Sequence, residues 1–201
     1  MIIKAFIAYG KLLSKKVVIT KKATLMARIA VVYRSTSGFT KKYAEWISEE
    51  LKADLFNAKK INIQKLREYN LIVFGGSLHA VGINGLKLIK DNASLLADKD
   101  IIVFAVGASP PRPNVLEEVK KHNFGKDMAK VKLFYFQGGF NFDKLDLVNK
   151  VLMTLFRVSL KLKRHRTPDE IGMLAAYSKP MDFTRRENIR ELIEYARSIY
   201  L

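Results

Sequence analysis

Residues 28–47 read "RIAVVYRSTSGFTKKYAEWI". The β-branched run at 28–33 suits a strand buried on both faces. It breaks at 35–40 into "STSGFT", and then Tyr43, Ile47 and Leu51 recur four apart as a helical stripe. A strand that turns through this loop into a helix presents first-turn N–H groups with no partner inside the helix, beside the positive end of its dipole. A phosphate is held there without a lysine. Gly38 lets the backbone bend close to the oxygens, and Ser35, Ser37 and Thr40 carry hydroxyl donors. The loop lacks the Gly-Lys-Ser/Thr ending of a Walker A motif and is not G-x-G-x-x-G. The alternative is an ordinary turn with Ser or Thr capping the helix. Placement after the first strand, with glycine-containing loops after the third and fourth, favours a cofactor phosphate.

The elements around this stretch alternate. Strands are predicted at 28–33, 53–58, 71–76, 100–107 and 131–139, and helices at 39–52, 84–97, 114–122 and 185–200. Five strands separated by helices imply a doubly wound α/β fold, a parallel sheet covered on both faces. Strands one, three, four and five run into "STSG", "GGSLHAVG", "GASPP" and "QGGF" at their carboxyl ends, the edge where such sheets bind ligands.

Composition narrows the chemistry. Without cysteine, thiolate catalysis, disulfides and Cys-bound metal centres are excluded, and His79, His122 and His165 show no metal-ligand spacing. No metal is expected. With 36 basic and 19 acidic residues the net charge is +17, which attracts anions of some kind. Nucleic acid is not expected, because no binding motif accompanies the charge. No apolar run reaches the roughly 18 residues of a bilayer span. Residues 1–25 carry six lysines and no acid. They read as a dispensable leader or a start set too early; a basic arm touching a membrane is the alternative. The domain proper is then 26–201.

"STSGFT" at 35–40 resembles the flavodoxin phosphate loop, (S/T)-x-(S/T)-G-x-T, and the likeness extends over residues 27–200. It implies a flavodoxin-like five-stranded parallel sheet of order 2-1-3-4-5 with FMN as cofactor. It assigns the phosphate to Ser35, Thr36, Ser37, Gly38, Phe39 and Thr40. The isoalloxazine ring falls to Ser77, Leu78 and His79 after the third strand and to Gly107, Ala108 and Ser109 after the fourth. Gly138 and Gly139 of the fifth loop complete the set. His79 and Phe140 are the two candidates to cover the ring. Trp46 and "LFYF" read as core. No side-chain nucleophile or acid–base dyad is expected, since a flavin carries the chemistry itself.

A minimal flavodoxin would pass from "FYFQGG" almost directly to its last helix; here about 141–178 is inserted. On a helix over 143–162, Asp146, Lys150, Arg157 and Lys161 share one narrow face, and apolar residues cover more than half the circumference. That exceeds the usual stripe. The excess face packs on the sheet, on a second subunit as a homodimer, or on an anionic membrane surface, with "KLKRHR" at 161–166 alongside. The insertion resembles that of the flavodoxin-like, menaquinone-dependent protoporphyrinogen dehydrogenases, and "REYNLIVFGGSLHAVG" resembles their third-strand region. The resemblance implies a small tetrapyrrole-like substrate, a quinone or redox partner as acceptor, and a cytoplasmic protein peripheral on the inner face of the cell membrane. Arg164 and Arg166 would attract propionate groups. His79 and Ala80 replace that family's arginine and tyrosine. A non-enzymatic electron-transfer flavodoxin is the other reading.

Overall fold

The computed structural model describes residues 28–125, 128–145 and 147–200. The leader at 1–25 and Asp146 lie outside the described residues. Five parallel strands form the sheet: β1 (Ile29–Arg34), β2 (Asp54–Asn57), β3 (Leu71–His79), β5 (Asp100–Gly107) and β6 (Lys132–Gln137), in the order β2-β1-β3-β5-β6. Counting only these five, the order is 2-1-3-4-5, as expected. A two-residue β4 (Gly82–Ile83) folds back antiparallel on the end of β3.

Alternation along the strands divides the core into two layers, because successive side chains leave a strand on opposite faces. Val31, Val73 and Ile102 stand in register and pack with α1 (Phe39–Leu51) and α7 (Arg190–Tyr200) through Tyr43, Ile47, Leu192 and Ile193. Val32, Phe74 and Val103 face the other way, toward Leu86, Ile89, Leu96 and Val119, the last on α4 (Pro113–Asn123). Each such side chain contributes about 1.5–3 kcal/mol on burial. Trp46 packs partly buried against the first layer, edge-on to Tyr43 at 5.5 Å, and Phe134 and Phe136 lie within it. These aromatics are core, as expected.

Three predicted elements differ in detail. The helix expected at 84–97 breaks into α3 (Lys87–Lys90) and a 3-10 turn (Ala93–Leu96), after a short α2 (Ile63–Leu66) earlier in the chain. The cause is local. Gly85 has φ +79°, and the Asn92 side-chain amide donates to the Leu88 carbonyl (2.9 Å), the acceptor a continuing helix would use. The last helix starts at Arg190 after a 3-10 turn (Arg186–Ile189). The insertion helix, α5 (Leu147–Leu162), starts later than 143, because the Asn141 side-chain Oδ1 accepts from the backbone N–H groups of Asp143 and Lys144 and caps a 3-10 turn (Phe142–Lys144) first.

The fifth strand is also shorter than 131–139. Beyond Gln137 the chain leaves the sheet and forms β7 (Gly139–Phe140), which pairs antiparallel with β8 (Met181–Asp182). The insertion therefore leaves and returns through one small ladder. Between lie α5 and α6 (Pro168–Ala176), the latter opened by a capping box of Thr167 and Glu170. Lys42 of α1 ties the ladder to the main fold by an ion pair with Asp182 (2.9 Å).

Candidate functional site

The loop after β1 has the geometry its residues imply. Gly38 caps α1 in the left-handed region (φ +97°), and no side chain caps the helix or places an acid in its first turn. Ser35 turns inward, its Oγ accepting from the Gly38 N–H at 3.0 Å. A Cβ built on Gly38 meets nothing within 4 Å, so glycine is needed here for its φ and not because protein atoms crowd it. Thr40 is 1 % exposed, and its Oγ1 has no hydrogen-bond partner among the described residues. A buried hydroxyl without a partner costs about 1–3 kcal/mol. That cost, at the N-terminus of an uncapped helix, is what a bound phosphate would offset.

The third-strand loop meets the first through polar contacts. Thr36 Oγ1 lies 3.0 Å from Ser77 Oγ and 3.2 Å from His79 Nε2. Asn84, just past β4, donates its amide to both hydroxyls at 3.3 and 3.4 Å. His79 thus belongs to a hydroxyl–amide cluster beside the β1 loop. The sequence reading places Asn84 at the start of a helix over 84–97 and gives it no role at the site.

These loops open on a cleft of about 500 Å³, within the usual range for small-molecule sites. Thr36, Ser37, Phe39 and Thr40 line it from the first loop, Ser77, Leu78 and His79 from the third-strand loop, and Gly107, Ala108 and Gly139 from the others. Ser35, Gly38, Ser109 and Gly138 are not among the residues that line it, and Gly38 and Ser109 are exposed. Ser109 offers its carbonyl to Tyr135 Oη (2.7 Å), and Gln137 donates to the Ala108 carbonyl (3.2 Å), so the β5 loop is anchored to β6. At Gly139 an added Cβ would collide with the Met181 carbonyl and come within 2.8 Å of the Phe39 ring. Glycine there lets β7 and β8 close beneath the insertion.

The far wall comes from the insertion: Leu145, Asn149, Leu152, Met153 and Met173 line the cleft opposite the loops. Sequence reasoning marked α5 for its surplus of apolar residues but did not assign these positions, since pattern alone does not say which face turns inward. Phe140 lines the cleft too and is braced edge-on by Tyr177 at 5.1 Å. Tyr177 in turn donates to the Met153 carbonyl (2.7 Å) and lies under the Arg157 guanidinium (5.2 Å). Burial raises the Tyr177 phenol above its ordinary value, with Arg157 opposing. Arg164 and Arg166 do not line the cleft. Arg166 instead donates to the carbonyls of Leu160 and Lys161 and caps α5.

Support beneath the loops is aromatic. Tyr43 of α1 donates to the Gln137 carbonyl (2.7 Å) and accepts from Asn188 (3.0 Å), joining α1, β6 and the last turn. Burial raises its phenol above the ordinary value. No cluster of metal-ligating side chains occurs among the described residues. No helix among them is long and apolar enough to cross a membrane. A second cavity of about 310 Å³ lies at the opposite sheet edge, by Asp98–Ile101, and contains none of the candidate residues.

A family model described as a flavodoxin domain matches residues 30–167, more than half the chain. No curated protein matches. Among solved structures, the chain is similar to a flavoprotein from Lactobacillus acidophilus in complex with FMN. That pair shares 14 % identity over 56 % of this chain and 93 % of the other, with TM-score 0.40. It is also similar to the Trp repressor binding protein from Bacillus subtilis (21 % identity, 70 % and 100 % coverage, TM-score 0.41). A third likeness is to Megasphaera elsdenii flavodoxin (14 % identity, 53 % and 84 % coverage, TM-score 0.38). The weight rests on the family match and on the strand order, which agree: this chain belongs to the flavodoxin-domain family.

Proposed function

We propose that the cleft binds FMN and that the protein is an FMN-dependent oxidoreductase of the protoporphyrinogen dehydrogenase type, with a small tetrapyrrole-like substrate and a quinone as electron acceptor. The single observation that carries the cofactor reading is the buried, partnerless Thr40 hydroxyl at an uncapped helix N-terminus that opens on the cleft. When bound, FMN supplies the redox chemistry. The chain's own residues bind and orient. Ser37, Thr40 and the first-turn N–H groups of α1 hold the phosphate, while Thr36 is kept in place by Ser77, His79 and Asn84. Backbone amides of the β3 and β5 loops serve the polar edge of the ring, and the Tyr135 bond to Ser109 keeps the second of these loops in position. Leu145, Leu152, Met153 and Met173 exclude water from the opposite side and favour a flat apolar substrate.

The substrate assignment is supported by the inserted α5–α6 wall, which supplies much of the cleft's apolar lining. The net charge of +17 suits a substrate bearing carboxylates. Purified protein should be yellow and release FMN on denaturation; protein that stays colourless and quenches no FMN fluorescence on titration refutes the cofactor reading. With FMN bound, anaerobic mixing with protoporphyrinogen and a soluble quinone should give turnover. Turnover only when a second redox protein is added would instead identify an electron carrier.

A further inference from the structure

Arg157 of α5 is a partly buried cation, and its Nε is buried with no hydrogen-bond partner among the described residues. No acidic residue occurs between 147 and 168 to pair with it along the helix. Other cations of the fold are matched. Arg186 pairs with Glu49 and Glu50 at 2.8 Å each, Arg28 with Glu68 at 3.2 Å, and Lys163, just past the end of α5, with Glu170. A charge drawn out of water without a counter-charge is costly to keep, so its position calls for a reason.

The contact Arg157 does make is aromatic. Its Cζ stands 5.2 Å over the Tyr177 ring, and Tyr177 is edge-on at 5.1 Å to Phe140, which lines the cleft. Two ring contacts thus connect the guanidinium to the cleft, and Met153, one turn earlier on α5, lines the same wall. The charge is felt along this path: burial raises the Tyr177 phenol, and Arg157 opposes it. Aromatic and apolar groups screen a charge far less than water does. The lining residues themselves include no aspartate, glutamate, lysine or arginine, so no fixed charge at the cleft surface cancels the field.

We propose that Arg157 is a potential-setting residue: acting through the Tyr177–Phe140 wall, its unmatched charge favours the reduced, more negative form of the bound flavin over the oxidised form. This rests on the FMN reading above. Reduction of a flavin ring by two electrons with uptake of one proton leaves it one unit more negative. A fixed cation behind the wall stabilises that product and raises the potential, the kind of electronic tuning a protein supplies to its cofactor. A more oxidising flavin takes electrons from an organic substrate more readily, which favours the dehydrogenase reading over the carrier. Arg157 and Tyr177 both belong to the inserted segment, so the insertion sets the potential as well as the shape of the cleft.

The test is the midpoint potential of the FMN-loaded full chain, read by stepwise dithionite reduction beside a reference dye. FMN titration of the oxidised protein and a thermal melt accompany it. Arg157→Gln should bind oxidised FMN within about twofold of the parent and reduced FMN roughly three- to tenfold more weakly, a fall of about 15–30 mV for two electrons. Arg157→Lys keeps the charge and should keep most of the potential. Lys161 is exposed one turn along α5, and Lys161→Gln should leave the potential unchanged. Lys161→Glu instead offers Arg157 a carboxylate with its ring contact intact, and should lower the potential as Arg157→Gln does. That variant decides the matter if Arg157→Gln does not fold. Parent-like potentials in Arg157→Gln and Lys161→Glu, or an equal fall in Arg157→Lys and Arg157→Gln, overturn the inference and leave the FMN reading standing. Protein that binds no FMN removes both.

Discussion

Thr36 Oγ1 of the β1 loop and His79 Nε2 at the end of β3 lie 3.2 Å apart, joining two loops separated by more than 40 residues of chain. Ser77 and Asn84 close the same cluster. The imidazole therefore acts on the loop through Thr36. Replacing His79 with Ala should weaken FMN affinity by roughly two- to tenfold, the scale of one hydrogen bond, with little change in melting temperature. Fluorescence titration with FMN checks this.

Thr40 separates stability from binding. Thr40→Val keeps the shape of the side chain and removes a buried hydroxyl that has no protein partner. Stability of the cofactor-free protein should be unchanged or higher by up to about 1 kcal/mol, while FMN affinity falls roughly ten- to hundredfold, as for a lost bond to a charged group. Chemical denaturation without cofactor and titration with it, on one preparation, measure the two effects.

Gly38 is constrained by its own backbone angle. With φ at +97° and open space where a Cβ would stand, Gly38→Ala should cost about 1–2 kcal/mol of folding stability from left-handed strain alone. The denaturant midpoint should fall at an unchanged slope. A loss of FMN affinity beyond that cost would report how closely the phosphate approaches this backbone.

Tyr135 makes the β5 loop sensitive to alkali. Burial pushes its phenol up to about 12 from 10.0, so the folded protein holds this proton more tightly than the unfolded chain. Its contribution is complete below pH 10 and is lost as pH rises from about 10 to about 12. Tyr69, raised to about 12 first by burial and then by its bond to Asp54, titrates in the same window. Tyr135→Phe should cost about 1 kcal/mol near neutrality by removing the bond to Ser109, and should flatten part of the stability loss between pH 10 and 12. Denaturation midpoints across that range test the sign.

The amino-acid sequence by itself determined the layered α/β architecture, the strand order through its likeness to flavodoxins, and the loop that opens on the cleft. These are local or periodic properties: a β-branched run, a hydroxyl-and-glycine turn and a four-residue apolar repeat each constrain the backbone where they stand. Which candidates line the cleft was decided only by tertiary structure. Ser35 and Thr36 are neighbours of similar chemistry, yet one hydroxyl turns back to Gly38 and the other reaches across to Ser77 and His79. The same holds for the insertion. Its apolar surplus was legible, but only the closure of β7 on β8 turns Asn149 and Met153 toward the cleft and leaves Val151 and Leu155 outward. A side chain's partner depends on where the chain returns in space, and that is set by contacts far apart in sequence.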